Sequence, residues 1–287
     1  MSRAYAFYPG CTLHSTGVEY GVSARAVCRA LGVELVEIED WNCCGASSAH
    51  SLGGELADAL PARNILLAQP QARDIAIPCA ACYGRLSSAD RRLREDEAFR
   101  RQMEEITGRE YAGAARPRAL LDILTSDFPP EELRAHLRRP LVGLQPVSYY
   151  GCLLLRPPQI AGGWDDTEHP VKLDRLLGLL GAEPRPWTYA TDCCGASMTL
   201  NRGDIVARLV GRLVDAAEDA GANCIVTACP LCQANLDGRQ GRRPQPMPVF
   251  YVTELLGLAM GLDEVVGLFG RHMVDPRPLL RRLGLLP

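Results

Sequence analysis

Lysine is almost missing from this chain of 287 residues: of its 31 Lys+Arg only Lys172 is a lysine. Such a bias marks a GC-rich coding sequence rather than a phosphate-binding face. With a net charge of −3 and a pI near 6.0 no basic patch dominates the field, so no nucleic-acid partner is expected. The start of the chain has no apolar signal core with a small-residue cleavage site. Nor does any stretch reach the roughly 18 uninterrupted apolar residues of a membrane helix. A cytoplasmic protein is expected, associated with a membrane only indirectly, through a complex. No G-x-G-x-x-G is placed for a flavin or nicotinamide, and there is no C-x-x-C-x-x-C run of the kind that holds cubane clusters. Electrons must therefore come from partners. A hydrophobic fraction of 47% and a charged fraction of 23% are those of a globular protein, long enough for two closely packed halves.

What the sequence does have is cysteine, twelve in all. In a reducing compartment these are not a disulfide framework, and metal binding is the better expectation. Ten of them fall in an internal repeat. Tyr8-Pro9-Gly10-Cys11 is echoed by Tyr149-Tyr150-Gly151-Cys152. Asn42-Cys43-Cys44-Gly45-Ala46-Ser47 is echoed by Asp192-Cys193-Cys194-Gly195-Ala196-Ser197, and Cys79-Ala80-Ala81-Cys82 by Cys229-Pro230-Leu231-Cys232. Between the double cysteine and the C-x-x-C lie 34 residues in both copies. Between the first cysteine and the pair lie 31 residues in the first copy and 40 in the second, the extra length falling in the Pro/Gly-rich stretch Arg156 to Asp166.

Each copy reads as strand, cysteine loop, helix, short strand, Cys-Cys-Gly turn, helix, strand and C-x-x-C. The expected strands are Ala4–Tyr8 and Ile75–Pro78, then Pro146–Tyr150 and Ile225–Ala228. The expected helices are Val18–Leu31 and Gly53–Leu67, then Val171–Leu180 and Asp204–Ala220, with Gly32 and Gly181 as C-caps. The alternation predicts an α/β protein of two pseudo-symmetric, Rossmann-like units with largely parallel sheets, the cysteines lying just past strand ends. Residues 1–87 and 141–250 would be the two cluster-binding units. A charged helical connector, broken at Pro129-Pro130, would span 88–140, and a helical packing segment 251–287.

Five thiols per unit, Cys11, Cys43, Cys44, Cys79 and Cys82, then Cys152, Cys193, Cys194, Cys229 and Cys232, are one more than tetrahedral zinc uses. Iron–sulfur clusters take thiolates on several irons, and adjacent cysteines can hold neighbouring irons. Gly45 and Gly195 would let the backbone turn tightly and bring N–H groups to the cluster sulfurs. Structural zinc, metal-free thiol–disulfide chemistry and simple packing are the competing readings. Cys28 and Cys224 have no counterpart in the other copy and read as structural. His14 reads as a solvent-facing or helix-entry residue before a proton donor. Asn42 and Asp192 either hydrogen-bond the cluster or cap a turn.

On these residues the chain resembles the Cys-Cys-Gly (CCG) domain family. With two complete copies and no ferredoxin domain, it resembles most the B subunit of heterodisulfide reductase (HdrB), over essentially its whole length. The resemblance implies that each five-cysteine set holds a noncubane four-iron, four-sulfur ([4Fe-4S]) cluster, and that the two clusters face each other across a pocket where a disulfide is cleaved. It also implies an HdrC-like iron–sulfur protein and an HdrA-like flavin protein as partners. The CoB–CoM heterodisulfide is the reference substrate; other small-molecule or protein-bound disulfides are equally compatible with the motif. Related CCG proteins belong to glycolate, lactate, glycerol-3-phosphate and succinate oxidoreductases that deliver electrons to quinone, which is the alternative role. A zinc-stabilised scaffold without redox function is the other. The apolar stretch around Val252–Leu268 is a candidate docking surface or a packing element.

Overall fold

Each half opens on an apolar strand that runs into a cysteine loop. The structure, a computed structural model, describes residues 3–46, 49, 53–241 and 243–287. Ser47, which ends the first Cys-Cys-Gly-Ala-Ser motif, lies outside the described residues. The first half runs β1 (Arg3–Phe7), the one-turn α1 (Gly10–Leu13), α2 (Val18–Ala30), β2 (Val33–Glu37), α3 (Gly54–Ala68), β3 (Ile75–Ile77) and α4 (Ala80–Glu95). Then come α5 (Glu97–Thr107), β4 (Pro117–Ala119), α6 (Leu120–Ser126) and α7 (Pro130–His136). The second half runs β5 (Pro146–Tyr149), the one-turn α8 (Pro158–Ala161), α9 (Lys172–Leu179), α10 (Gly203–Asp219), β6 (Cys224–Thr227) and α11 (Pro230–Gly238). It closes with β7 (Val249–Tyr251), α12 (Val252–Met260), α13 (Asp263–Val266) and α14 (Arg277–Arg282).

Every strand pairing is parallel, in a four-stranded sheet of order β2-β1-β3-β4 and a three-stranded sheet of order β5-β6-β7. Parallel pairs need a crossover, and the helices supply it while covering the faces. That is why β3 and β6 are buried at every residue and carry no polar alternation. The chain is therefore α/β, with two similar units. Gly32 and Gly181 end α2 and α9 with φ of +70° and +87°, the left-handed conformation expected of a C-cap glycine.

Three details differ from the sequence expectation. Within the segment expected to be helical, β4 joins the first sheet beside β3. Second, β7 supplies a strand across the expected boundary at 250/251. Third, the short strand expected before each Cys-Cys-Gly turn forms only in the first unit, as β2. In the second, Glu183 N–H donates to the Leu144 carbonyl (2.9 Å) and Arg185 N–H to that of Pro146 (2.7 Å). Pro184 and Pro186 beside them have no N–H to extend a ladder.

The two units share one core. The Tyr20 ring of α2 stacks on Tyr251 with centroids 4.3 Å apart, and its hydroxyl donates to the Ala228 carbonyl (3.2 Å). Ser23 and Thr253 hydroxyls pair at 2.6 Å, and Tyr83 donates to the Ala161 carbonyl at 2.6 Å. All nine residues of α12 are buried, largely against α2. The Val252–Met260 part of the candidate docking surface is thus core.

Candidate functional site

In each unit the first cysteine and the C-x-x-C lie just past the C-terminal ends of parallel strands, where α/β sheets gather their sites, while the Cys-Cys-Gly turn follows β2 in the first unit and the strandless segment 183–187 in the second. β1 leads through Tyr8-Pro9-Gly10 to Cys11, β3 leads to Cys79, and α4 begins immediately after Cys79 and carries Cys82 inward. β5, β6 and α11 do the same for Cys152, Cys229 and Cys232.

The loops are fixed by repeated contacts. Tyr8 hydroxyl donates to the Asn42 carbonyl (2.8 Å), and Tyr149 hydroxyl to that of Asp192 (2.6 Å). Each buried tyrosine thus ties the first-cysteine loop to the residue before the double cysteine, a signal present in the sequence as a repeated Tyr three residues before each first cysteine. Asn42 binds the Cys43 and Leu60 carbonyls, its N–H donates to Asn64, and Asp192 pairs with Arg212 at 2.7 Å. Both residues hold the turn. Gly45 and Gly195 sit at φ of +75° and +81°, and their N–H groups point at the Cys43 and Cys193 sulfurs, at 3.5 and 3.3 Å. The backbone turns tightly at both glycines and brings each amide to a cysteine sulfur.

The sulfurs approach one another in chains. Cys44 and Cys82 lie 3.2 Å apart, Cys11 and Cys43 3.8 Å, and Cys194 and Cys232 3.7 Å. Cys79 and Cys229, both buried, feel each other's charge across the seam between the units, where the two sets come together. The opposite end of each set is open: Cys11, Cys43 and Cys193 are exposed and Cys152 partly so, whereas Cys44, Cys79, Cys82, Cys194, Cys229 and Cys232 are buried.

Buried thiolates are costly unless neighbours share the charge. Bonds from Cys43 and Cys82 bring Cys44 down to about 3, and a bond from Cys152 brings Cys193 down to about 6, while the donors Cys43 and Cys152 are pushed up. Thiolate is the form that binds metal. Cys28 and Cys224 stand apart in the core, with burial pushing Cys28 to about 12 and Cys224 upward too. His14 faces solvent, 3.5 Å from Glu37 and against the Trp41 ring.

This donor set fits an iron–sulfur group. Among the described residues no three Cys, His, Asp or Glu side chains surround a single ion-sized position; thiolates strung along a chain instead suit a group with several metal atoms. Room is kept for sulfur as well. A Cβ on Gly10 would lie 3.2 Å from Cys82 Sγ, and one on Gly151 would lie 2.9 Å from Cys232 Sγ, both glycines at φ +69°.

A family model described as the cysteine-rich domain matches residues 5–87 and 147–237. The chain is 30% identical to the 8-methylmenaquinol:fumarate reductase membrane anchor subunit of Wolinella succinogenes, over 97% of this chain and 100% of that protein. It is 29% identical to the B subunit of the ferredoxin:CoB-CoM heterodisulfide reductase of Methanosarcina mazei, over 90% of this chain and 89% of that one. Lactate utilization protein A of Bacillus pumilus is 23% identical over 86% of this chain and 95% of its own length. Among solved structures, a hypothetical protein from Helicobacter pylori shares the fold with a TM-score of 0.72 and 10% identity, over 96% of this chain and 52% of that one.

Proposed function

We propose, starting from the fact that this chain belongs to the cysteine-rich CCG domain family, that it is the disulfide-handling component of a heterodisulfide reductase-like complex. Its likeness to proteins named as the B subunit of heterodisulfide reductase supports a subunit of a redox complex. The disulfide-handling role is supported by one feature: two complete five-cysteine sets, brought together at the buried seam where Cys79 and Cys229 feel each other's charge. In this reading Cys11, Cys43, Cys44, Cys79 and Cys82 hold one noncubane four-iron, four-sulfur cluster, and Cys152, Cys193, Cys194, Cys229 and Cys232 hold the other.

Such clusters supply adjacent one-electron stores, which match one-electron carriers to a two-electron substrate. The net reaction takes one disulfide, two electrons and two protons to two thiols, or runs in reverse. The electrons come from an HdrC-like iron–sulfur protein and an HdrA-like flavin protein in the same complex. The chain's own residues seat the thiolates, aim the Gly45 and Gly195 amides at sulfur and keep water from the buried seam. The exposed ends, at Cys11, Cys43, Cys152 and Cys193, are where substrate and carrier reach the sets.

Replacing Cys194 by Ser removes a buried ligand of the second set only. Reduction of disulfides by a one-electron donor is expected to fall by about a hundredfold or more, with the fold of the first half intact. Undiminished turnover in that variant would contradict a joint role for the two sets.

A second reading is favoured by the full-length likeness to the menaquinol-linked anchor protein: electron transfer between a dehydrogenase and a quinone. No helix among the described residues is long and apolar enough to cross a membrane, so in that reading the chain meets quinone through a partner. Cluster reduction by a menaquinol analogue, with no disulfide turned over, would select it.

A further inference from the structure

The two double cysteines are held at opposite ends. The equal spacing of the repeat sets Cys193 opposite Cys43, Asp192 opposite Asn42 and Val214 opposite Asn64. In the first unit the grip is on the exposed cysteine: the Asn42 side-chain amide donates to the Cys43 carbonyl at 2.8 Å. Asn42 is itself clamped by the fully buried Asn64, which accepts from its N–H and donates to its carbonyl, both at 2.9 Å. Arg63 donates to the Asn42 side-chain oxygen at 3.0 Å. The Cys11 carbonyl is bonded too, by the Ser15 hydroxyl at 3.0 Å.

The second unit lacks these donors. Asp192 has no side-chain N–H to offer and pairs with Arg212, and the Val214 side chain can make no hydrogen bond. The Tyr149 hydroxyl holds the Asp192 carbonyl (2.6 Å), and the Asp192 N–H reaches the Tyr189 carbonyl (3.3 Å). Among the described residues, however, no hydrogen bond holds the carbonyl of Cys193 or of Cys152. The grip falls one residue later, on the buried Cys194. Asn235 donates to its carbonyl at 3.2 Å, the Thr199 hydroxyl donates to Asn235 at 3.0 Å, and Arg239 donates to the Thr199 carbonyl at 3.2 Å. Ala49, Arg85 and Ala89 stand at these places in the first unit. Yet Cys43 and Cys193 are both exposed, and each takes the amide of Gly45 or Gly195 on its sulfur.

We propose that Cys193 is the thiolate that gives way when an outside sulfur enters, and that the first set stays closed. The inference rests on the disulfide-handling reading above and narrows it to one point of entry. Moving the Cys43 sulfur drags a peptide tied into a partly buried network, and such bonds are costly to leave unmade. Cys193 can swing without that loss, because its turn is pinned beyond it, at Cys194. Of the two cysteines with unheld carbonyls, Cys193 is exposed and Cys152 only partly so. The exchange replaces one thiolate by another and transfers no electron; the displaced Cys193 keeps the Gly195 amide as the partner of its charge. Asn42, Asn64 and Asn235 are positioning residues, which decide which cysteine of each pair can move.

The test is limited alkylation of the whole chain, purified anaerobically with its iron, by iodoacetamide, with each cysteine's labelling rate read by mass spectrometry. Cys193 is expected to be labelled about tenfold faster than Cys43, the scale of one buried hydrogen bond, although both are exposed. Asn42→Ala should raise the Cys43 rate toward that of Cys193. The paired change Asp192→Asn with Val214→Asn, which builds the first unit's clamp into the second, should slow Cys193 several-fold. Equal rates for Cys43 and Cys193 in the native chain would overturn the proposal. So would a fast Cys193 with both rates unmoved in variants that retain their iron, since the anchors would then not be the cause. Metal content and disulfide turnover of the same sample report separately on the underlying reading. A chain without iron and sulfide, or loaded and inert toward disulfides, would overturn that reading whatever the labelling pattern.

Discussion

At the scale of single residues, the buried charges near the seam set a pH dependence distinct from the thiols. His272 Nε2 lies 2.8 Å from Glu254 Oε1, and both side chains are fully buried. Glu254 also accepts the Tyr251 N–H at 2.9 Å and so caps α12. Burial works against the imidazolium, but the bond and charge of Glu254, with Asp237 and Glu19, outweigh it and raise His272 above its ordinary 6.5. A group whose pKa is raised by folding stabilises the fold below its unfolded pKa, and this is lost as pH rises through the folded value. The pair should therefore contribute fully near pH 6 and fade above, by about 1.4 kcal/mol for each tenfold gain in proton affinity on folding. Thermal unfolding between pH 6 and 9 should show the native chain losing more stability than His272→Gln. Parallel curves would show that the pair contributes nothing. No sequence pattern announces this contact, because His272 pairs with a residue eighteen positions back across a turn of the fold. The ten repeated cysteines, by contrast, stand out because two identical spacings cannot both be accidents of packing.

At the scale of elements, the missing strand of the second unit shows how local chemistry replaces a ladder. The carbonyls of Leu144, Pro146 and Ser148 accept in turn from the Glu183 N–H, the Arg185 N–H and the Trp187 indole Nε1, the last at 2.9 Å. The indole takes the place of the next rung, beyond Pro186. Trp187→Phe keeps an aromatic ring beside Tyr149 and removes only the donor. It should cost about 1–2 kcal/mol, read as a lower urea midpoint, and an unchanged midpoint would mean the rung carries no stability. The repeat predicts a strand here because β2 fills the same place in the first unit, and Pro184 and Pro186 are the contrary signal. The helices are more legible. α2, α3, α9 and α10 fall within a residue or two of their expected limits, because apolar spacing and a C-cap glycine fix the ends of α2 and α9 physically. The apolar sequence of the nine-residue α12 fits a docking surface or a packing element alike, and only the tertiary contact with α2 shows that it is core.

At the scale of the whole molecule, two parallel sheets bring two five-cysteine sets end to end. Cys79 and Cys229 lie buried and feel each other's charge at the seam that Tyr20 and Tyr251 close by stacking. The α/β class and the parallel strands follow from alternation and cysteine placement alone. The strand order β2-β1-β3-β4 and the contact between the sets do not, because both depend on how distant segments pack. We propose that each set binds a multi-iron cluster. Purified anaerobically, the chain should hold about eight irons and as many acid-labile sulfides, two four-iron groups. About two zincs per chain with no sulfide would contradict it and leave a zinc-held scaffold.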